Sequence, residues 1–273
     1  MSAAAAVKRA ARLITSAGRT IYSDSPTAHL AHLKAVVCPN AAALAREVDL
    51  LVVFGGDGTM LRLAREIAGS RTPVLGVNIG GLGFLTAVSS ANLPQALKCV
   101  WNGQFKFESR VLIQAIGRCM GKQVNLTALN DIVIGRGIAS RLIELDVSVD
   151  GDPLTRYRCD GLIVSSPTGS TAYSLAAGGA VVFPTADVFA LTPICPHTLS
   201  NRALILPLSA TIEVKVASPG TILSVDGQVV SELALGDKIV MKRARRTVRL
   251  MHLAGSSFCE TLRCKLHWRG ASL

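Results

Sequence analysis

Aromatic side chains are scarce in this chain: seven Phe, three Tyr and two Trp, 4% of 273 residues. Surfaces that bind single-stranded nucleic acid interleave cations with rings on which bases stack. No such interleaving occurs here, so nucleic acid is not an expected partner despite a formal net charge of +11. Long apolar runs are missing as well. No stretch reaches the roughly 18 uncharged apolar residues of a membrane-spanning helix, and the N-terminal MSAAAAVKRAARLITSAG has no sustained hydrophobic segment of the kind a signal peptide needs. A membrane partner is therefore not expected. The seven cysteines at 38, 99, 119, 159, 195, 259 and 264 are odd in number, scattered and without a C-x-x-C pair. That pattern indicates neither a disulfide framework nor a zinc site, and fits a reducing, cytoplasmic setting.

What is abundant is apolar residues, 49% of the chain with a mean hydropathy of +0.41. This is enough to bury one large core or two smaller ones. Eighteen acidic residues face 29 basic ones, and the basic ones concentrate in KRARRTVR, residues 242–249. Three readings of that run stand: a solvated strand or turn, a nucleic-acid patch, or part of a positive field that attracts polyphosphate ligands. The missing aromatic residues weigh against the second.

The pattern changes along the chain. Up to about residue 102, helical and strand-like segments alternate: a helix near 41–47, a strand 49–54, a helix from about Thr59 through MLRLAREIAG, and the strand PVLGVNI at 73–79. Alternation of this kind predicts an α/β domain with a Rossmann-like parallel sheet over 1–102. From 103 to 250 the segments are short and β-rich, including NDIVIG, RLIELDVSVDG, DGLIVSS, TIEVKVASPG and TILSVDG, with turn signals between them, as in an all-β domain. In the last segment, 251–273, SSFCETLRCKLHW places Phe258, Leu262 and Leu266 at helical spacing.

Three segments carry candidate chemistry. DLLVVFGGDGTM, residues 49–60, runs a strand into three glycines, one aspartate and a threonine. A Walker A loop would need Lys followed by Ser or Thr, and a dinucleotide fingerprint would need a glycine where Leu61 stands, so neither motif fits. What remains is a strand–glycine–helix junction whose amides favour bound anions. Asp57 is awkward beside an anion, which suggests work on a proton or a metal, or else a cap on the following helix. A second glycine cluster, GVNIGGLGFLT at 76–86, follows the next strand. Successive strand ends of a parallel sheet are where such folds bind ligands. The third segment, DGLIVSSPTGSTAYSLAAGGAVVFP at 160–184, strings hydroxyls, Tyr173 and a Gly178-Gly179 pair together. It reads either as an ordinary capped turn or as a nucleotide surface.

In order and spacing, GGDGT, LGFLT, ALNDIVI, the 160–184 segment, PICPHTLSNR, SVDGQ and LRCKLHWRG resemble the bacterial NAD kinases over roughly residues 20–270. The resemblance implies transfer of the γ-phosphate of ATP to the 2'-hydroxyl of the adenosine ribose of NAD, with Asp57 as general base. It further implies Gly55, Gly56, Gly58, Thr59 and Arg62 around the ATP phosphates, and Mg²⁺ or another divalent cation carried with the nucleotide rather than on a protein site. For NAD it implies Asp57, Gly58, Phe84, Asn130 on the adenine, Asp131 on the other ribose, Arg158, Asp160 near the nicotinamide end, Thr168, Thr171, Ala172, a stacked Tyr173, and Asp226. It implies a homodimer or homotetramer, and a C-terminal helix that packs back on the first domain. GGDGT is shared with lipid kinases, so a lipid kinase and a non-catalytic NAD(P) sensor are the rival readings. Gly81, Ala87, Asp131 and Ala180 depart from the commoner residues of the family; Asp131 is one methylene shorter than glutamate. Relatives open with an apolar strand before their first helix, whereas residues 1–18 already read as that helix and RTIYSD, 19–24, as the second strand. The expectation is an N-terminal sheet one strand short, with the natural reading frame starting upstream of Met1.

Overall fold

The computed structural model describes residues 2–81, 83–86, 88–138, 142–198 and 200–268. Ala87, one of the departures named above, lies outside them. The chain divides into two units, 1–109 with 248–273, and 110–247.

The first unit begins with α1 (Ala3–Ser16), an alanine-rich helix capped by Ser2, whose hydroxyl accepts from the Ala5 amide. No strand lies within 2–18. There follow β1 (Tyr22–Asp24), α2 (Ser25–Ala31), β2 (Val36–Cys38), α3 (Ala41–Glu47), β3 (Leu51–Phe54), α4 (Asp57–Glu66), β4 (Val74–Asn78), β5 (Val88–Ser89) and α5 (Leu93–Trp101). Asp24 and Asn40 cap α2 and α3 through their side-chain oxygens. The parallel strands fall into two sheets. Among the described residues β1 pairs only with β2, while β3 pairs in parallel with β4, and β4 with β5. All five residues of β4 are buried, as a strand covered on both faces requires. Its Leu75 and Val77 pack with Ala10, Leu93, Ala96 and Leu97 in the core of this unit.

The second unit is built from β6 (Phe105–Cys119), β7 (Lys122–Ala128), β8 (Asp131–Arg136), β9 (Ile143–Val149), β10 (Asp152–Cys159), β11 (Gly161–Ser165), a 3-10 turn at Thr168–Thr171, α6 (Tyr173–Ala176), β12 (Val188–Ile194), β13 (Leu204–Pro207), β14 (Ile212–Val216), β15 (Thr221–Val225), β16 (Gln228–Leu233) and the long β17 (Lys238–Leu253). Six strands form one antiparallel sheet in the order β13-β12-β11-β8-β15-β16, and β10, β9, β14 and β17 are successive neighbours in another. Three tight hairpins, at Met120-Gly121, Asp150-Gly151 and Asp226-Gly227, have positive φ at both turn residues. That is the mirror-image turn whose twist suits adjacent strands. Every second residue of β9, Ile143, Leu145 and Val147, enters a core shared with Leu162, Phe189, Leu191, Ile212, Val214 and Leu223. This is the period-2 pattern of half-buried strands. β8 and β11 are the central strands and are buried almost throughout; the 3-10 turn and α6 pack on β11.

The end of β17 returns to the first unit, where Leu250 pairs with Val74 in parallel, and α7 (Phe258–Lys265) follows. Phe258 meets the Phe84 ring at 6.5 Å, Lys265 lies 5.9 Å from the same ring, and Leu262 is buried. Among the described residues no helix is long and apolar enough to cross a membrane.

Candidate active site

In the first unit the site is built around Asp57. The strand β3 ends at Phe54, and Gly56 serves as the N-cap of α4 without a side-chain cap bond. The helix therefore starts at Asp57, two residues before the expected Thr59, because a glycine cap leaves its first turn to begin at once. An acidic residue in that turn is favoured by the helix dipole, but Asp57 does not cap the helix with its side chain. Its Oδ2 accepts from the Phe84 amide at 2.8 Å and its Oδ1 from the Leu85 amide at 3.0 Å. The second glycine cluster thus grips the carboxylate of the first. The grip depends on Gly83, since a Cβ there would lie 2.1 Å from Asp57 Oδ1. Gly56 and Gly58 are exposed, with open space where a side chain would be, so their backbone is free to meet a ligand. Arg62 points to solvent one turn along α4, 3.8 Å from Glu66.

In the second unit, the start of β8, the end of β11 and the β15–β16 turn come together. Both Asp226 and Gly227 are left-handed, which turns the Asp226 carboxylate back over the β8 corner. There it accepts from the amides of Leu129 (3.2 Å), Asn130 (2.8 Å) and Asp131 (3.3 Å). Asp131 is 3% exposed, and burial, with the nearby Asp226 charge second, lifts its carboxyl to about 7. The 160–184 segment is welded to the same corner. Ser166 donates to the Leu129 carbonyl, and the Ser166 amide to that of Asn130. Thr168 is buried and accepts from Arg110 at 3.3 Å. Thr171 donates to the Thr168 carbonyl, and Ser174 shares a hydrogen bond with Thr192. Ala172 is half-buried, and Tyr173 stands 48% exposed at the start of α6, its ring free to stack on a planar ligand.

Asp160 and Arg158 are not part of this cluster. Asp160 accepts at its backbone from the Arg136 amide, at the far end of β8 from Asp131, and its carboxylate lies 3.4 Å from Arg136. Arg158 is exposed and pairs with Glu144 at 3.1 Å. The basic run lies on β17, where Lys242, Arg243, Arg245 and Arg246 are exposed along a concavity of about 640 Å³ that contains none of the candidate residues.

Residues 7–105 match the model of the ATP-NAD kinase N-terminal domain, and residues 129–253 that of the ATP-NAD kinase C-terminal domain. The chain belongs to the ATP-NAD kinase family. A protein named NAD kinase from Thiobacillus denitrificans is 39% identical over 97% of this chain and 92% of its own length. Among solved structures, a yeast NADH kinase complexed with NADH has a TM-score of 0.87 at 28% identity, covering 98% of this chain and 85% of that one. An NAD kinase from Archaeoglobus fulgidus in complex with ATP has a TM-score of 0.72 at 26% identity, covering 92% and 98%.

Sequence reasoning missed several residues that organise these two clusters. The amide donors of Phe84 and Leu85 have no sequence signature as donors. Asn78 and Thr86, which bracket the gripping loop, sit in GVNIGGLGFLT, where no spacing marks their side chains as ties. Arg110 stands in a strand whose pattern gave no sign of a buried cation.

Proposed function

We infer that this protein transfers the γ-phosphate of ATP to the 2'-hydroxyl of the adenosine ribose of NAD, yielding NADP and ADP. The observation that carries the reading is membership, across both units, of the ATP-NAD kinase family. Within that reading Asp57 is the general base. It accepts the 2'-hydroxyl proton as the oxygen attacks the γ-phosphorus and the bond to ADP breaks. Its geometry suits the role: two backbone amides fix the carboxylate's orientation while each oxygen keeps a lone pair. A well-placed base contributes roughly 10²–10⁴-fold. The remaining acceleration comes from holding the two substrates in line and neutralising charge. Gly56 and Gly58 offer exposed backbone at the start of a helix to the phosphates; the Gly55 and Thr59 amides are bonded to the Val77 and Gly56 carbonyls, so Gly55 contributes a bare surface and Thr59 its hydroxyl, with Arg62 nearby on α4.

Tyr173 stacks on the adenine, with Thr168, Thr171 and Ala172 shaping the pocket. Asn130 reads the base, and Asp131 holds a ribose, both set in place by Asp226. Asp160, Arg158 and Phe84 are assigned to the dinucleotide by family likeness. A divalent cation, Mg²⁺ or an equivalent, neutralises phosphate charge when bound. Bare amides and one carboxylate suit a cation that brings phosphate and water ligands with it.

We also propose a cytoplasmic homodimer or homotetramer. The outer strand β16 leaves Val229 65% and Val230 44% exposed, an uncovered apolar edge of the kind that partner subunits bury.

Incubating purified protein with Mg-ATP and, separately, NAD, NADH, a diacylglycerol vesicle or no acceptor tests the reading. NADP formation supports it. Lipid phosphorylation, or dinucleotide binding with no turnover, would select a rival.

A further inference from the structure

We propose that Asn78 is a positioning residue for phosphoryl transfer, fixing the loop whose amides hold the Asp57 carboxylate. The proposal rests on the reading of Asp57 as base. Asn78 is the last residue of β4 and only 4% exposed. Its Nδ2 donates to the Gly81 carbonyl at 2.6 Å and to Thr86 Oγ1 at 2.9 Å. One amide nitrogen therefore ties down both arms of the loop. Between those ties lie Phe84 and Leu85, whose N–H groups donate to Asp57. The ties and the carboxylate are close-packed: a Cβ built on Gly83 would sit 2.7 Å from Thr86 Oγ1 and 2.1 Å from Asp57 Oδ1. A loop shift of a few tenths of an ångström moves the two donors, and the carboxylate with them.

Chemistry narrows the choice of side chain. Two N–H donors on a two-carbon arm are what asparagine offers; aspartate has the shape without the donors, and serine has one. Asn78 Oδ1 is buried and has no hydrogen-bond partner among the described residues. The carbonyl of Gly81 as acceptor fixes which end of the amide faces the loop. Asn78 thus holds the loop, and through it the base, by its Nδ2 alone.

The test measures kcat, NAD affinity by calorimetry and thermal stability for Asn78→Asp, Asn78→Ala, Thr86→Val and Thr86→Ser, with Asn78→Ala repeated in an Asp57→Asn background under long single-turnover conditions. Asn78→Asp and Thr86→Val are expected to lower kcat at least tenfold with NAD affinity unchanged within twofold, since small misplacements near the reacting atoms cost up to roughly 10² in rate. Thr86→Ser, which keeps the accepting oxygen, should retain the rate. If Asn78 acts through Asp57, Asn78→Ala should change the residual rate of Asp57→Asn less than twofold, because coupled residues are not additive. Wild-type kcat in both Asn78→Asp and Thr86→Val overturns the proposal, as does a full loss repeated in the Asp57→Asn background. Full activity of Asp57→Asn alone would instead remove the base assignment, a separate result from an Asn78→Asp enzyme that works beside a dead Asp57→Asn.

Discussion

Replacing Asp131 by asparagine should stabilise the protein at alkaline pH and do almost nothing at acid pH. Asp131 is 3% exposed, and its carboxyl is lifted from 3.8 to about 7 by burial first and the Asp226 charge second. The folded chain therefore holds this proton more tightly than the unfolded chain does. Well below pH 3.8, at about pH 3 and lower, both states are protonated and the residue is neutral in the balance. As pH rises from about 4 to 7, the unfolded carboxyl ionises first, and stability falls by up to roughly 1.4 kcal/mol per pH unit. Above about 7 the full penalty, on the order of 4 kcal/mol, is present. Asparagine is nearly isosteric and cannot ionise, so Asp131→Asn removes the full penalty at pH 8.5 but gains only about 1 kcal/mol at pH 4.5. For a domain of this size a few kcal/mol moves Tm by on the order of 10 °C. The assay is paired thermal denaturation of wild type and variant across pH 4.5–8.5. A difference in Tm that does not grow with pH would refute the reasoning. The same ionisation bears on ligand binding, since a carboxylate accepts from ribose hydroxyls better than a neutral acid does. Wild-type affinity for NAD should weaken as pH falls through about 7, and that slope should flatten in the variant.

Tyr173 is 48% exposed, so Tyr173→Ala should leave Tm within about 2 °C while raising the KM for NAD several-fold, from loss of a stacking contact worth on the order of 1 kcal/mol; an unchanged KM would exclude stacking. Gly169→Ala places a Cβ 2.1 Å from the Asn130 carbonyl oxygen, an overpacking expected to cost roughly 1–3 kcal/mol and to show as a lower urea midpoint. Thr168→Val removes a buried acceptor of the Arg110 guanidinium and should destabilise by about 1–3 kcal/mol, whereas Thr168→Ser should not. Light scattering should report a dimer or tetramer, and charged substitutions at Val229 and Val230 should shift it toward monomer.

The parts of the fold that were legible in the sequence are those where burial writes a pattern. Leu51–Phe54 and Val74–Asn78 read as apolar runs between glycines and helices, and Ile143–Val149 alternates because one face is buried. β10 was not legible. Only Tyr157 and Cys159 of DPLTRYRC are buried, and the strand is held by backbone pairing to β9 rather than by an apolar face. Residues 1–18 read as a helix, and Ala3–Ser16 form one, because alanine is the strongest helix former.

The candidate site divides the same way. Asp57 was singled out from its glycine setting, whereas Asp226 came only from the resemblance of SVDGQ to the family. The grip on Asp57 was not readable, because a backbone amide has no letter of its own. Nor was the separation of Asp160 from Asp131, which depends on the register of β8 against β11, with Asp131 opposite Ser165 and Gly135 opposite Gly161.

The central claim is that Asp57 drives phosphorylation of one hydroxyl of NAD. Wild type and Asp57→Asn, each incubated with NAD and Mg-ATP, can be compared by phosphorus NMR of the dinucleotide product together with NAD binding to each protein. The account predicts a single new phosphomonoester at the 2' position of the adenosine ribose with wild type. For Asp57→Asn it predicts a rate lower by at least about 10² with NAD still bound. A phosphate at any other position, or near-wild-type turnover by Asp57→Asn, would contradict it.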